Sequence, residues 1–470
     1  MPAKELSPIE IYRLLPGTNC KECGETNCMA FAAKLVNREA SLEECTPLLD
    51  EKHASSYAEL WGLLKPAVKA VEVGVGDHAL TIGGEYVLYR HDFTYFHQPA
   101  IAIDVTDEMN DEEFETRVHV LNDFAYNYIG MDLTLDMLNV RCTSGDAKKF
   151  AETVKKADEL TRKPLMLVSH DPAILEAGLE IVGEKRPLIH GATKDNWKEV
   201  AELAQKYNCP VVAYAPGDLD TLKSIALTLE AYGLKDIALD PGTQPSEYMS
   251  VNTDYFTILR WNAINDDEEG LGYPLIGAPM AAWAVEEEDP VLNEWNEAVI
   301  AGVLTARFAD LLVIHGISGW SLLPEIILRS NLYTDPRKPV SVEPELVIIG
   351  NPDENSPVLL TTNFALTYYT VANDIENAKL DSYLLVVDSE GMSVESAVAG
   401  RKMTADTVAE AIKDSKVEEK VKHRNIIIPG RSARLSGEIQ ETSGWSVSVG
   451  PMDSSGIASY VAEKWNPYPE

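Results

Sequence analysis

From about residue 98 to residue 331, short apolar runs alternate with charged stretches of helical length. This alternation limits the fold more than any other feature of the chain. The runs are AIAIDV (100–105), LTLDMLNVRC (133–142), PLMLVSH (164–170), PLIHGA (187–192), PVVAYA (210–215), DIALDPG (236–242), PLIGAP (274–279) and LLVIHGI (311–317). Each is mostly aliphatic or β-branched, as a strand buried on both faces requires. Stretches such as DAKKFAETVKKADEL and TKDNWKEVAELAQKY between them read as amphipathic helices. Eight strands in strict alternation with helices predict an α/β fold whose centre, residues 98–331, is a closed (β/α)8 TIM barrel. An open doubly wound sheet is the alternative, and eight consecutive units favour closure.

Two further regions flank this one. NLYTDPRKPVSVEP (331–344) is punctuated by proline and reads as a linker over 332–344. Beyond it, LVIIG, PVLLTTN, YLLVVDS, NIIIPG and SVSVGP predict a five-stranded, doubly wound α/β domain over 345–470. TTNFALTYY (361–369), DSEGMSVESAV (388–398), PGRSARLSGE (429–438) and VGPMDSSGIA (449–458) put small and hydroxylated residues at its strand ends, where an open sheet binds ligands. Residues 1–60 read as short helices, the first capped by Ser7 with Glu10 three residues on. Residues 61–97 read as a connector, in which HALTIGGEYVLYR (78–90) forms a hairpin turning at Gly83-Gly84.

A chain of 470 residues is too long for one core, which agrees with three regions. Seventy-five acidic residues against forty basic ones leave a net charge of −35, which repels phosphate backbones and argues against nucleic acid as a partner. No run is long and apolar enough to span a bilayer, and the N-terminus lacks the apolar core of a signal peptide. The expected location is the cytoplasm, where thiols stay reduced and clustered cysteines bind metal more often than they pair. Cys20, Cys23, Cys28 and Cys45 have the spacing C-x2-C-x4-C-x16-C. Four thiolates saturate either an iron–sulfur cluster or a structural zinc. Three grouped cysteines with a remote fourth suit a cubane better than the paired cysteines usual for zinc. Cys142 and Cys209 read as inert buried thiols. At the carboxyl ends of the barrel strands stand His170, Asp171, His190, Asp240 and His315. An enzyme reading makes them a polar site at the barrel mouth. The expectation adopted is that they cap helices and satisfy turns, so no protein side chain is assigned a catalytic role.

Several long motifs occur together and in order. They are the cysteine set, NLYTDP, NSPVLLTTNFALTYY, SYLLVVDSEGMSV, HRNIIIPG, GW and VGPMDSSGI. In these the chain resembles the large subunit of the corrinoid/iron–sulfur protein, whose archaeal form is the gamma subunit of the acetyl-CoA decarbonylase/synthase complex. The resemblance implies a [4Fe–4S] domain, a barrel and a C-terminal corrinoid-binding domain. It implies cluster ligation by Cys20, Cys23, Cys28 and Cys45. It also implies corrinoid contacts from Thr361, Thr367, Gly391, Met392, Ser393 and Val394, with the turns at Pro429-Gly430 and Ser455-Gly456 added. Read without it, the threonines would be ordinary strand and cap residues. The implied activity is that of a methyltransferase component: a methyl group passes from a methyl-tetrahydropterin, such as methyltetrahydrosarcinapterin, to corrinoid cobalt. It is then exchanged with the acetyl-CoA synthase site in acetyl-CoA synthesis or cleavage. The cluster would return cobalt(II) to its reduced state. Implied partners are the small corrinoid/iron–sulfur subunit, in a heterodimer, and acetyl-CoA synthase/carbon monoxide dehydrogenase components. None of the nine histidines has an aspartate two residues before it, so the Asp-x-His-x-x-Gly motif that supplies a lower axial ligand in many corrinoid proteins is missing. The alternative is a free-standing barrel methyltransferase, pterin-dependent, with an accessory iron–sulfur domain.

Overall fold

A computed structural model describes residues 6–285, 287, 289–335 and 339–468. Positions 336–338 of the expected linker lie outside the described residues. The chain divides into two compact units. One contains the residues up to Tyr126 and Leu133–Tyr333, the other Asn127–Asp132 and the residues from Thr334 on.

The first unit begins with a helical module. Its helices are Pro8–Leu14, Cys28–Val36 and Ala54–Leu64. The expected capping box is present: the Ser7 hydroxyl accepts from the Ile9 amide, and the Glu10 carboxylate accepts from the Ser7 amide. Ile11, Phe31, Leu35, Leu48 and Leu60 are buried together with Cys28 and Cys45. Each such aliphatic or aromatic side chain contributes about 1.5–3 kcal/mol by leaving water.

Strands β1 (Ala70–Val73) and β2 (Leu80–Gly83) pair antiparallel, with Ala70 opposite Gly83. The hairpin exists, but it turns through residues 74–79, not at Gly83-Gly84. Gly83 has a φ of +76°, and a Cβ there would lie 2.6 Å from the Lys69 carbonyl and 2.7 Å from Pro274. This glycine serves close packing against the barrel. Val71, Val73 and Ile82 join the barrel's interior residues Ala100, Met137 and Leu311 in one core. The hairpin is therefore the floor of the barrel and not a connector.

All eight expected barrel strands form. They are β3 (Ala100–Thr106), then, after a separate hairpin of β4 (Ala125–Tyr128) and β5 (Met131–Thr134), β6 (Met137–Arg141), β7 (Leu165–Val168) and β8 (Leu188–Ala192). β9 (Val211–Tyr214), β10 (Ile237–Asp240), β11 (Ile276–Gly277) and β12 (Leu311–Ile314) complete the ring. The run at 133–142 is thus two strands, because Asp136 turns inward to accept from the Ile101 amide at 2.8 Å. The parallel order is β10-β9-β8-β7-β6-β3-β12-β11, and a bridge between Leu239 and Leu275 joins the two ends. β11 is only two residues long. The Asp310 carboxylate replaces the missing rung, accepting from the Leu275 amide at 2.7 Å and from Arg260 at 2.5 Å.

In the second unit β13 (Leu346–Ile349), β14 (Val358–Thr362), β15 (Ser382–Val387), β16 (Asn425–Ile428) and β17 (Ser446–Val449) form a sheet of order β13-β15-β14-β16-β17. β13 is antiparallel to β15 and the other pairs are parallel. One face packs on Val394, Val408, Ile412 and Ile439, the other on Ala372, Ile375 and Ile457. The chain leaves β14 first for β15 on one side and later for β16 on the other. The sheet's topological switch point therefore lies between β14 and β16, where doubly wound sheets bind ligands.

Near the barrel floor Glu85 is 4% exposed, and neither carboxyl oxygen meets a donor in hydrogen-bond geometry. Burial first and Asp310 second push its pKa up to about 8, only partly offset by Arg260 and the His97 and Phe96 amides. The folded state thus holds a proton that the unfolded chain releases at its ordinary carboxyl pKa. Stability from this group is full at low pH and is lost as pH rises through about 8. Glu85→Gln should remove that loss. Denaturant midpoints at acid and alkaline pH should diverge less in the variant than in the wild type.

Candidate functional site

The cysteine loop is bent by residues in the left-handed region, Gly17, Asn19, Lys21 and Gly24, with φ from 50° to 81°. Asn19 clamps it to the following helix. Its amide donates to the Cys28 sulfur at 3.3 Å, and its side-chain oxygen accepts from the Cys28 amide at 2.9 Å. Asn27 caps that helix through the Ala30 amide. Cys45 sits between two short 3-10 turns, Leu42–Glu44 and Thr46–Leu49. Burial pushes its thiol pKa up, and Cys23, Cys28 and Cys20 add to the rise. The four thiols therefore share one neighbourhood. Cys20 is exposed, Cys23 half-buried, and Cys28 and Cys45 buried. Among the described residues, no group of three or more cysteine, histidine or carboxylate side chains is placed to hold a metal ion. The donor chemistry, four thiols with one receiving an N–H···S bond, still fits a thiolate-ligated centre. Cys209 is buried with its thiol pushed up to about 12, and Cys142 donates to Asp107, so neither belongs to this group.

At the switch point of the second unit lies a cleft of about 350 Å3 lined by Thr361, Thr367, Ser393, Val394 and Pro429. The Thr361 hydroxyl is buried and has no partner, and neither does that of Thr362. A dry hydroxyl without a partner costs free energy that a ligand can recover. Leu366 and Met452, about half exposed or more, stand at the rim, and the open walls are mostly apolar, with Glu395, Arg431 and Asp453 also lining them. Such a surface fits one face of a flat macrocycle. The structure does not bring every expected residue here. Gly391 has a φ of +71°, and a Cβ on it would lie 2.7 Å from Pro339; it serves a turn. Met392 packs on the sheet's core. Gly430 lies next to Pro429, with room for its backbone against Pro451 only because it lacks a side chain. Ser454 and Ile457 line the cleft, whereas Ser455 and Gly456 do not.

Asn363 is the residue that sequence reasoning missed in this unit, although it lies inside the TTNFALTYY motif. Its side-chain oxygen accepts from the Ser389 amide (2.9 Å), the Ser389 hydroxyl (2.8 Å) and the Gly391 amide (3.0 Å). Its amide nitrogen donates to Asp388 at 3.1 Å. One side chain at the end of β14 thus fixes the loop after β15 that carries Ser393 and Val394 to the cleft.

The barrel mouth holds a second cavity, of about 610 Å3. The expectation of simple capping holds for Asp171, which accepts from the Ala173 amide at the start of a helix. Asp240 likewise satisfies a turn, and His170, His190, Asp240 and His315 also line the cavity. His190 Nε2 lies 2.8 Å from Asp240, and Asp240 also accepts from the Gly242 amide. Buried Asp104 accepts from Asn139 at 2.8 Å and from Arg141 at 2.9 Å, and lies 3.2 Å from His315 Nδ1. Arg117 lies 3.0 Å from His315 Nε2 and has only protons to give, so Nδ1 carries the ring proton and donates to Asp104. These bonds and Arg141 together hold Asp104 below its ordinary pKa against the opposing effect of burial. Glu297 accepts from the His315 and Gly316 amides at 2.6 Å and from Trp283, while burial pushes its pKa up. Asp104, Asn139 and Arg141 were legible as polar residues interrupting otherwise apolar barrel strands.

Residues 70–461 match the family model described as CO dehydrogenase/acetyl-CoA synthase delta subunit. Residues 15–47 match the one described as "Putative Fe-S cluster". Over whole chains, the sequence is 45% identical to acetyl-CoA decarbonylase/synthase complex subunit gamma 2 of Methanosarcina thermophila, covering 98% of this chain and 99% of that one. It is 44% identical to the gamma subunit of Archaeoglobus fulgidus, covering 99% of each. Among solved structures, dihydropteroate synthase from Thermus thermophilus is a loose likeness, at 15% identity and a TM-score of 0.40, over 56% of this chain and 100% of that chain.

Asn363→Ala leaves the Ser389 and Gly391 amides without their acceptor in a buried turn, while the Ser389 hydroxyl keeps the Met392 carbonyl. Each lost bond of this kind costs about 1–3 kcal/mol, and the effects are not additive. The variant should lower the thermal midpoint of the second unit's unfolding, read by near-ultraviolet circular dichroism, while Asp171→Ala leaves that transition unchanged.

Proposed function

The chain belongs to the family of acetyl-CoA decarbonylase/synthase gamma subunits, and from that premise we propose that it is the corrinoid- and iron–sulfur-carrying methyl carrier of such a complex. The observation that carries the reading is the switch-point cleft, where the unpartnered Thr361 hydroxyl meets apolar walls, in one chain with the cysteine module. Thr361, Thr367, Ser393 and Val394 would hold one face of a corrinoid, with Gly391 and Met392 shaping the loop that presents them. Reduced corrinoid cobalt supplies a strong two-electron nucleophile for exchanging a methyl group between a methyl-tetrahydropterin and the acetyl-CoA synthase site. The cleft's own residues shield and orient. Leu366 and Met452 exclude water from the ring face, and no histidine is among the described residues that line the cleft.

Cys20, Cys23, Cys28 and Cys45 would hold a [4Fe–4S] cluster, a centre whose potential can be low enough to restore an oxidised corrinoid. The cleft covers one face only, which is why the carrier reading includes a small corrinoid/iron–sulfur subunit and acetyl-CoA synthase/carbon monoxide dehydrogenase components as partners. Among the described residues, no helix is long and apolar enough to cross a membrane. The built polar cavity at the barrel mouth keeps the second reading, a pterin-dependent barrel methyltransferase, in view.

Complex purified without oxygen should contain about four irons per gamma chain, as a four-thiolate cubane requires, together with a stoichiometric corrinoid. Cys23→Ala should lose the iron and keep the corrinoid. Full zinc occupancy in place of iron overturns the cluster assignment, and a complex with no visible corrinoid bands overturns the carrier. With no histidine among the described residues that line the cleft, the paramagnetic cobalt(II) form should show no superhyperfine splitting from a histidine nitrogen.

A further inference from the structure

At the barrel floor, the end opposite the mouth, two buried side chains leave four polar atoms without a protein partner. They are both carboxyl oxygens of Glu85, which is 4% exposed, and Nε and Nη1 of Arg260, which is 2% exposed. Both residues line a cavity of about 190 Å3. Arg260 is held by its remaining nitrogen, Nη2, which donates to the Phe308 carbonyl at 2.8 Å and to Asp310 at 2.5 Å. Two carboxyl oxygens and two guanidinium nitrogens thus border one space without bonding to each other. Around this space the charge is the reverse of the chain's. Arg90, Arg260 and Arg307 line it, in a protein of net charge −35. Asp310 is already neutralised by Arg260 and the Leu275 amide. Burial first and Asp310 second push the Glu85 pKa up to about 8, so near neutral pH this group is a carboxylic acid with a proton to donate. The phenols nearest it, Tyr86, Tyr95 and Tyr333, stay protonated because burial raises each of them, and His97 turns Nδ1 to the Gly83 carbonyl at 2.6 Å. The balance is positive and calls for an anion. Val87, Leu88, Phe308 and Leu332 give the same cavity an apolar wall, which a bare inorganic oxyanion leaves unused.

We propose that this floor cavity binds a short-chain monocarboxylate, its carboxylate between the Arg260 guanidinium and the Glu85 carboxyl and its alkyl chain against Leu88 and Phe308. The site is independent of the methyl-carrier reading. Glu85 gives its O–H to the bound carboxylate, and Arg260 gives an N–H from Nε or Nη1. The ligand's negative charge raises the Glu85 pKa further, so the complex keeps a proton that the free protein loses as pH rises through about 8. Affinity is therefore flat below that pH and falls above it. An occupant that binds only the folded chain also raises its stability. It does so where the wall is thinnest, since Arg260 and Asp310 stand in for the rung that two-residue β11 does not supply.

The test is calorimetry on the full chain with butyrate as the probe and acetate and inorganic phosphate as comparisons. Butyrate should bind, and acetate should bind about 15-fold more weakly, at roughly fourfold for each methylene lost. Phosphate should not displace butyrate. Glu85→Gln carries a neutral amide at every pH, so it should keep the affinity and lose the fall above pH 8. Arg260→Gln should weaken butyrate by about tenfold or more, the scale of one charged hydrogen bond. Should Arg260→Gln fail to fold by circular dichroism, Arg307→Glu decides. That side chain is exposed at the rim, outside the wall, and reversing its charge should weaken butyrate several-fold. An absence of butyrate binding overturns the proposal, and so does displacement by phosphate. Unchanged affinity in the folded arginine variant overturns it too, as does an alkaline fall that persists in Glu85→Gln.

Discussion

A cylinder of parallel strands has a dry interior, and a carboxylate inside it persists only when donors surround it. Two of this barrel's buried carboxylates, Asp310 and Asp104, stand at opposite ends. At the floor, Asp310 precedes β12 and takes the Leu275 amide and the Arg260 guanidinium. Because β11 contributes only two residues, that carboxylate is part of the wall as well as a charge to be satisfied. Removing one partner of such a pair costs about 3–5 kcal/mol, a large share of the 5–15 kcal/mol or so that holds a domain together. At the mouth, Asp104 takes Asn139, Arg141 and His315. The first carboxylate closes the barrel. The second orients the polar groups that its open end presents, so fold and site rest on the same physical requirement.

The strands were legible because a strand buried on both faces must be apolar along its length, and nothing else in the chain looks like that for four to seven residues at a time. The five-stranded domain was legible for the same reason, down to its separate runs. Turn chemistry was less reliable. Gly83-Gly84 looks like a hairpin turn, yet positive φ there serves contact with Lys69 and Pro274, two partners far apart in sequence. The barrel mouth shows the same limit more sharply. Asp171 can be read locally, since a cap bonds to an amide two residues on. The partners of His190 and His315 lie 50 and 211 positions away. Only closure of the ring brings them together, so single-residue reasoning assigned them the commoner role. Asn363 was hidden differently, as its value lies in three bonds to a loop that follows another strand.

The charge balance has a structural side too. Arg117, Arg260 and Arg329 are all nearly inaccessible to solvent, each bonded to backbone carbonyls, carboxylates or both. A guanidinium suits such positions because its planar fork satisfies several acceptors at once and is less strongly hydrated than an ammonium. Among the described residues, buried carboxyl groups outnumber these guanidiniums, Asp104, Asp240, Glu297, Asp310 and Glu325 among them, so the interior takes up part of the acidic excess behind the net charge of −35. The remainder on the surface still disfavours polyanions.

The cysteine module shows how a metal centre and a small core depend on each other. A segment of about 60 residues rarely buries enough apolar surface to be stable alone, and natural domains of that size commonly add a metal or disulfides. This module has its own core, from Ile11 to Leu64, and two of its cysteines belong to that core. Burial raises the Cys45 thiol, and the three other cysteines raise it further, against the Leu48 amide. Ligation would release protons, discharge the repulsion and tie the loop before helix Cys28–Val36 to the segment after it. On the proposed ligand set, the same four bonds that create an electron carrier also cross-link residues 20 to 45. On that set the exposed Cys20 would reach the group from the solvent side, and Cys28 and Cys45 would tie it to the apolar core in which they are packed.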